Sequence, residues 1–361
     1  MPHVQPNDLI LITGANGYIA SLTITKLLAA GYRVRGTVRD ASAKKNAWMK
    51  PHYGPNFELA QVPDLAAPNA LDEAIKGVHG VAHIAASIMF LPDPNEIITP
   101  EINMVMNVLE AAAKEKNVKR VVYTSSNCAC VTFEAGKTYH LDSSTWNEGS
   151  KAAWTLPVTP DFPRTFINYC AKKTEAEQRA YKWVEEKKPH FTFNTVLPNV
   201  NWGTVVRPDK TGFISSSGFL KLLWDGVTAF VDMFPPQWCV DVEDTALLHI
   251  AALTEEDVQG ERLFAFAERF TYTEVVDILR KEFPDRKLVD KIEEKAHNGT
   301  VDNKRSIELL KRLGKKDGFS TLEEMIKKWT PLIAQAEKEG WANAGGDGRD
   351  STAEEQLKNF Q

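Results

Sequence analysis

A doubly wound parallel α/β sheet, followed by a smaller mixed C-terminal portion, is predicted by three observations. Short apolar runs alternate with amphipathic helical stretches from Asp8 to Pro198. The first run ends in a glycine-rich turn. After Pro198 the chain turns rich in Pro, Gly and aromatics as far as Trp238, and charged amphipathic helices follow.

The elements follow in order. DLILIT (8–13) predicts the first strand, and GANGYIA (14–20) the turn into a helix whose Ala20, Ile24, Leu27 and Leu28 share one face before Gly31. YRVRGTV (32–38), FELAQV (57–62) and GVAHIAA (80–86) read as strands two to four. Residues 100–117 predict a helix with Pro100 near its first turn, and VKRVVYTSS (118–126) a fifth strand. A helix over 168–188 and a sixth strand, FTFNTVLP (191–198), close the pattern. Residues 131–166 are irregular and aromatic, the mark of a functional loop. The expected division is a nucleotide-binding domain over 1–198, with 238–262 returning to it. A substrate-binding portion covers 199–237 and 263–340, and 341–361 is expected to be a flexible tail.

Bulk properties exclude several classes. A net charge of −5 offers nothing to nucleic acid or an anionic membrane. The four cysteines are too few for a disulfide framework in 361 residues, and Cys128-x-Cys130 lacks a second ligand pair, so no metal site is expected. The first residues, MPHVQPND, lack the basic and apolar regions of a secretory leader, and the longest apolar stretch (77–91) is too short to span a bilayer. A cytoplasmic protein is expected.

The turn Gly14-x-x-Gly17-x-x-Ala20 sits between a strand and a helix, the context in which such a turn binds a dinucleotide. Gly14 permits the tight turn, Gly17 lets backbone approach a pyrophosphate, and Ala20 allows close packing. Asn16, Tyr18 and Ile19 complete the candidate contacts. An NAD site places Asp or Glu at the end of the second strand, where this chain has Val38 followed by Arg39. Arg39, with Lys44 nearby, suits a 2′-phosphate, so NADP(H) is the expected cofactor. Asp64, Leu65 and Ala85, after the third and fourth strands, are further candidate contacts.

The fifth strand carries Ser125 and Ser126 to the sheet's carboxyl edge, where such folds place their chemistry. Tyr169 and two lysines follow on the next long helix. Lys173 lies about 40° from Tyr169 around the axis and Lys172 about 60° the other way, so helical geometry permits either as its partner. Gly14-x-x-Gly17, Ser126 and Tyr169-x-x-x-Lys173, together with FTFNTVLPN, WGTVVRP and CVDVEDTALLHIAAL, resemble the extended short-chain dehydrogenase/reductase family over most of the chain. GYRVRGTVRD, GVAHIAAS and KPHFTFNTVLPN are most similar to fungal NADPH-dependent carbonyl and aldehyde reductases, with dihydroflavonol reductases more distant. The resemblance implies a Rossmann sheet and a carbonyl-to-alcohol reduction. It makes Tyr169 the general acid, Lys173 the residue that tunes it and binds the nicotinamide ribose, and Ser126 the group orienting the carbonyl. Pro198 and Val200 would bracket the nicotinamide, and Lys172 becomes a solvated charge. One departure is Met104-Val105, where relatives carry Gly-Thr, which implies altered packing near the cofactor.

Candidate substrate walls are Met89, Phe90, Phe133, Trp154, Asn199, Trp202, Phe234 and Trp238. They are mostly apolar, with no Arg/Lys cluster to clamp a carboxylate or phosphate, so an apolar or aromatic carbonyl compound is the expected substrate. A nucleotide-sugar epimerase of the same fold would call for an acid after the second strand. An alcohol or steroid dehydrogenase would use the same groups in reverse, and an NADP sensor would lack Tyr or Lys. The quaternary expectation is a monomer or a homodimer.

Overall fold

The computed structural model describes residues 3–295 and 297–341, so the tail expected over 341–361 lies outside the described residues beyond Trp341. The chain divides into two compact units. One comprises the residues up to Thr132, Ser143–Leu197 and Ala246–Phe264, the other Phe133–Asp142, Pro198–Thr245 and the chain from Ala265 onward.

The first unit carries β1 (Leu9–Ile12), α1 (Tyr18–Ala29), β2 (Arg33–Val38), the short α2 (Met49–Tyr53), β3 (Phe57–Gln61), β4 (Gly80–His83), α3 (Pro94–Lys114), β5 (Arg120–Thr124) and α4 (Phe162–Lys187). Its seven-stranded sheet runs Arg262–Ala265, Thr192–Pro198, β5, β4, β1, β2, β3. Pairing is parallel from β3 through Thr192–Pro198, for example Ile10 opposite Val34 on one side and opposite Gly80 on the other. The chain winds outward from β1 to β3, then crosses to β4 and winds the other way. The ends of β1 and β4 therefore flank the switch point where a doubly wound sheet opens a crevice. The doubly wound sheet expected from the sequence is the one observed.

The strands are buried on both faces, as a sheet covered by helices requires. Leu9, Leu11, Val81, Val121, Tyr123 and Phe193 from the sheet share a cluster with Val105, Val108 and Leu109 of α3 and Ala176 and Ala180 of α4. Val105, one of the residues standing where relatives carry Gly-Thr, is spent on this core.

Both long helices begin earlier than their periodicity suggests. In α3, Asp93 accepts from the Asn95 N–H at 2.9 Å and Pro94 fills the first turn, which leaves Pro100 inside the helix rather than at its start. In α4, Asp161 accepts from the Arg164 N–H at 2.9 Å, so the helix starts at Phe162 and the irregular loop ends sooner. Each start is an Asp-Pro or Asp-x-Pro signal, read in the sequence as part of the loop before Pro100 and of the aromatic loop 131–166.

The second unit is mixed. Val200–Trp202 pairs parallel with Trp238–Asp241, which pairs antiparallel with Glu268–Arg269. His140–Leu141 pairs with Thr300–Val301. The helices Ser217–Trp224, Tyr272–Glu282, Lys304–Arg312 and Leu322–Glu339 complete it. The last of these buries Trp329 fully.

Gly36 of β2 has no room for a side chain. An added Cβ would stand 2.6 Å from the Ala15 Cβ in the glycine turn and 2.8 Å from the Phe57 ring. Gly36→Ala is expected to destabilise the protein by about 1–3 kcal/mol through overpacking, read as a lower urea midpoint at unchanged slope.

Candidate active site

The nucleotide cradle is built where β1 and β4 end. Gly14 adopts φ +67°, a left-handed conformation, and an added Cβ there would meet the Ala85 Cβ at 3.0 Å. Thr13 locks the two strand ends together. Its hydroxyl oxygen accepts from the Ile84 and Ala85 N–H groups at 3.0 Å each and meets His83 Nδ1 at 2.8 Å. With both lone pairs occupied, the hydroxyl donates to Nδ1, which places the His83 proton on Nε2. Gly17 caps α1 with no side chain to take up the first-turn N–H groups, the arrangement that receives a phosphate. Tyr18 and Ala20 are buried and Ile19 is half-buried.

Arg39 stands exposed just past β2. The exposed Asp40 beside it turns one oxygen, Oδ1, back onto its own loop, to the Ser42 N–H at 2.8 Å and the Ser42 hydroxyl at 2.6 Å. Asn16 ties the glycine turn to this loop through Asn46 at 3.2 Å, and Lys44 is exposed on the turn beginning there. Asp64 caps its own loop through the Ala66 N–H at 2.9 Å. Asn107 of α3, which the sequence does not single out, holds the Leu65 and Ala67 carbonyls at 2.8 Å each. These residues fit an NADP(H) molecule: a cradle closed to side chains, an uncapped helix start, and the exposed cations Arg39 and Lys44 after β2.

The catalytic candidates converge. Ser126 caps the turn after β5, its hydroxyl donating to Asn127 Oδ1 at 2.8 Å and accepting from the Cys128 N–H at 3.2 Å. It is also the side chain that eases the Tyr169 phenol toward ionisation. Ser125 is committed elsewhere. It donates to buried Glu177 at 2.7 Å, which also holds Thr195 at 2.7 Å and Arg262 at 2.9 Å. Ser126 is therefore the serine of the pair that reaches Tyr169. Burial pushes the phenol well above the ordinary tyrosine range, the neighbouring Cys128 and the Glu101 carboxylate add to this, and Ser126 opposes it. Tyr169 thus rests as a neutral, proton-bearing group.

The two lysines behave differently from expectation. Lys173 is buried, and its ammonium meets Glu101 Oε1 at 2.6 Å, the Tyr123 hydroxyl at 3.1 Å and the Thr124 carbonyl at 3.2 Å. Lys172 is not the solvated charge the sequence suggests. It is fully buried, donates to the Ser87 carbonyl, lies 3.7 Å from Glu101 Oε2 and sits 4.6 Å from the centre of the Tyr169 ring. Burial brings its pKa down to about 8, with Glu101 opposing and Lys173 assisting the fall. Burial works to raise the Glu101 carboxyl, but Lys173 and then Lys172 outweigh it and hold it down to about 2. His83, stacked on Tyr123, is pushed down to about 4, chiefly by burial. Glu101 was legible only as a lone acid on an apolar stripe of α3 containing Ile97, Ile98, Val105 and Leu109.

Tyr169 also belongs to an aromatic run. Phe90 lies 5.5 Å from it, Phe166 stacks on it at 6.3 Å, and Phe162 stacks on Phe166 at 5.3 Å. Met89 is exposed, and so is Trp154, whose indole N–H reaches Glu175 at 2.6 Å. The other substrate candidates lie in the second unit. Phe133 is buried beside Tyr139 and His297. Asn199 is buried and accepts from the Val200 N–H at 2.8 Å. Trp202 is fully buried against Phe270. Phe234 stacks near Phe219, and Trp238 is half-buried near Phe266. Pro198 ends its strand, and Val200 pairs with Cys239. The structure's four cysteines are buried free thiols. Among the described residues no group of three or more His, Cys, Asp or Glu has metal-binding geometry, and no helix is long and apolar enough to cross a membrane.

Comparison with known proteins agrees with this geometry. Residues 10–148 match the profile of the NAD dependent epimerase/dehydratase family. The chain is 38% identical to aldehyde reductase 2 of Sporidiobolus salmonicolor, covering 89% of this chain and 94% of that protein. It is also 38% identical to ketoreductase adrE of Penicillium rubens, covering 90% and 96%. Among solved structures, yeast methylglyoxal/isovaleraldehyde reductase Gre2 complexed with NADPH superposes with a TM-score of 0.76 at 27% identity, covering 92% of this chain and 99% of that one.

The buried Lys172 has a thermodynamic signature. Its folded pKa, about 8, lies below the ordinary 10.5, so from pH 8 upward the unfolded chain holds more protons and stability rises toward pH 10.5. Chemical denaturation across that window is expected to show this rise in the wild type and a smaller one in Lys172→Met.

Proposed function

The chain belongs to the NAD dependent epimerase/dehydratase family, the extended short-chain dehydrogenases/reductases, and from that premise we propose that it reduces the carbonyl of an aldehyde or ketone to an alcohol with NADPH. The observation that carries the reading is the convergence of Ser126, Tyr169 and two buried lysines, Lys172 over the Tyr169 ring at 4.6 Å and Lys173 on the Thr124 carbonyl that ends β5, at the carboxyl edge of the sheet. When bound, NADPH supplies the hydride that attacks the carbonyl carbon.

The chain's own groups supply the rest. Ser126 orients the carbonyl oxygen by hydrogen bonding. Tyr169 gives its proton to that oxygen as negative charge develops there. Lys173 lowers the cost of leaving a phenolate behind and binds the nicotinamide ribose. Gly14, Asn16, Gly17, Tyr18 and Ile19 cradle the pyrophosphate. Arg39 and Lys44 take the 2′-phosphate, Asp64, Leu65 and Ala85 line the cofactor, and Pro198 and Val200 bracket the nicotinamide. In this reading residues 1–198 with 238–262 carry the cofactor, and 199–237 with 263–340 serve the substrate.

The aromatic run Phe90–Phe162–Phe166 supports an apolar or aromatic substrate. A flat apolar wall binds such groups by burial and offset stacking and gives a sugar nucleotide no charged partner. A cytoplasmic monomer or homodimer remains the setting proposed for it.

Following absorbance at 340 nm tests the activity across aromatic aldehydes, keto esters and diketones, with NADPH and NADH in parallel. Oxidation preferring NADPH is expected. Tyr169→Phe and Ser126→Ala should lower kcat by about 10²–10⁴ with NADPH binding retained. Arg39→Ala should erode the preference for NADPH over NADH through a higher KM. Phe166→Ala should raise KM for aryl aldehydes more than for small aliphatic ones. An NADH preference, or full activity in Tyr169→Phe, would refute the reading.

A further inference from the structure

Two buried lysines, one buried carboxylate and the half-buried catalytic tyrosine lie together in the first unit, and their contacts are not interchangeable. Lys173 has three N–H donors and three acceptors around it: Glu101 Oε1, the Tyr123 hydroxyl and the Thr124 carbonyl. The Tyr123 hydroxyl donates in turn to Glu101 at 2.9 Å, which leaves its lone pairs for Lys173. Lys173 is thereby a closed node. The ammonium set over the Tyr169 ring belongs to Lys172. It is held from below by the Ser87 carbonyl and from the side by Glu101 Oε2, an oxygen with no hydrogen-bond partner within the distance limit of an ordinary bond.

We propose that Lys172 is a second cation of the active site, which joins Lys173 in stabilising the Tyr169 phenolate left after proton donation, and that Glu101 is the positioning residue that holds Lys172 and Lys173 in their separate places. This rests on the reading of Tyr169 as the general acid. Glu101 neutralises one of the two lysines, so the trio carries one net positive charge in a site that water cannot screen. A cation facing the ring of a neutral phenol is worth little more than a cation–π contact. Facing a phenolate, it becomes a charge–charge attraction in low dielectric. The gain appears only once the proton has left, so it favours the transition state over the ground state. Spending one carboxylate on two lysines is what keeps this charge: a second acid would cancel it, and loss of Glu101 would leave two buried ammonium groups repelling each other.

The titratable groups facing Lys172 are Glu101 from α3, Lys173 and Tyr169 from α4, and Cys128 from the turn after β5, with Tyr123 of β5 and His83 of β4 behind Glu101. Among these Lys172 is brought down to about 8, so the reduction should lose rate as pH rises through that value.

The test uses the full chain, wild type, Lys172→Met, Lys172→Arg and Glu101→Gln, with two readouts. The first is NMR titration of lysine side-chain nitrogens, assigned by the resonance missing in Lys172→Met. The expected result is one lysine titrating near pH 8 in the wild type and lower still in Glu101→Gln. The second is kcat and KM for NADPH-dependent reduction from pH 6 to pH 10, with NADPH affinity followed by tryptophan fluorescence. Lys172→Met should cost about tenfold in kcat, the size of a desolvated cation interaction expressed as a rate, and abolish the fall near pH 8. Its KM and NADPH affinity should stay within about twofold, and Lys172→Arg should recover part of the rate. Wild-type kcat and pH profile in Lys172→Met would overturn the proposal, as would a Lys172 resonance that titrates like a free lysine or ignores Glu101→Gln. Absence of any reduction by the wild type, with NADPH bound, would instead overturn the reductase reading and the role given to Lys172 with it; the NMR titration would still report whether Glu101 holds the lysine.

Discussion

Glu101 is the constraint on which the active-site half of the molecule depends. A carboxylate and two ammonium groups taken out of water carry desolvation penalties of several kcal/mol each, and mutual attraction offsets these only when the geometry is close and the remaining valences are filled. Here most are: Lys173 has three acceptors and Tyr123 donates to the same Glu101 oxygen, while the other oxygen is met only by the Lys172 charge at 3.7 Å. The cluster joins α3, α4 and β5 through charge as well as through the apolar packing of Val105, Val108 and Ala176. Removing one member would leave an uncompensated buried charge, typically at a cost of about 3–5 kcal/mol. An apolar core would be a cheaper way to join two helices. The expense makes sense only if the positive charge is wanted where it is, beside Tyr169.

The same economy governs the other buried carboxylate. Glu177 binds Ser125, Thr195 and Arg262, and the Arg262 guanidinium lies 3.7 Å from the centre of the Trp146 ring. One acid thereby anchors the turn after β5, the neighbouring strand and part of the long loop. It also separates two adjacent serines into different jobs, Ser125 in the scaffold and Ser126 at the phenol. Rigid support behind a reactive group matters because its angle to the carbonyl decides how well it orients the substrate.

The sheet was legible in the sequence because its signals are local. Apolar runs of strand length, the Gly14–Ala20 turn and the alternation with helices survive without knowledge of tertiary contacts. The starts of α3 and α4 were less legible, since Pro100 reads as a helix start and residues 162–166 read as the end of an aromatic loop. Tyr169 and Ser126 were legible as members of a spaced pattern. Lys172 was not, because a lysine following a small residue on a helix reads as solvated, and its burial is decided by a carboxylate seventy residues earlier. Glu101 gave a faint signal, an acid among Ile97, Ile98 and Val105, which helical spacing alone reads as an edge of the apolar face. Which of two adjacent lysines meets the tyrosine is a long-range electrostatic question that spacing does not decide.

Tyr169 poses the sharpest physical demand. Burial and nearby negative charge raise its pKa, so the resting enzyme keeps the proton on the phenol, ready for transfer but reluctant to leave. A general acid so poised needs its conjugate base stabilised at the moment of transfer and little before it. The Ser126 hydroxyl, which donates to Asn127 Oδ1 at rest, offers part of that by turning its proton to the phenol oxygen once that oxygen becomes an acceptor. Positive charge must offer the rest, and Glu101 dictates where it stands. The raised pKa and the buried cations are thus two halves of one arrangement: the apolar surroundings that make the phenol hold its proton also remove the water that would screen the lysines from the phenolate.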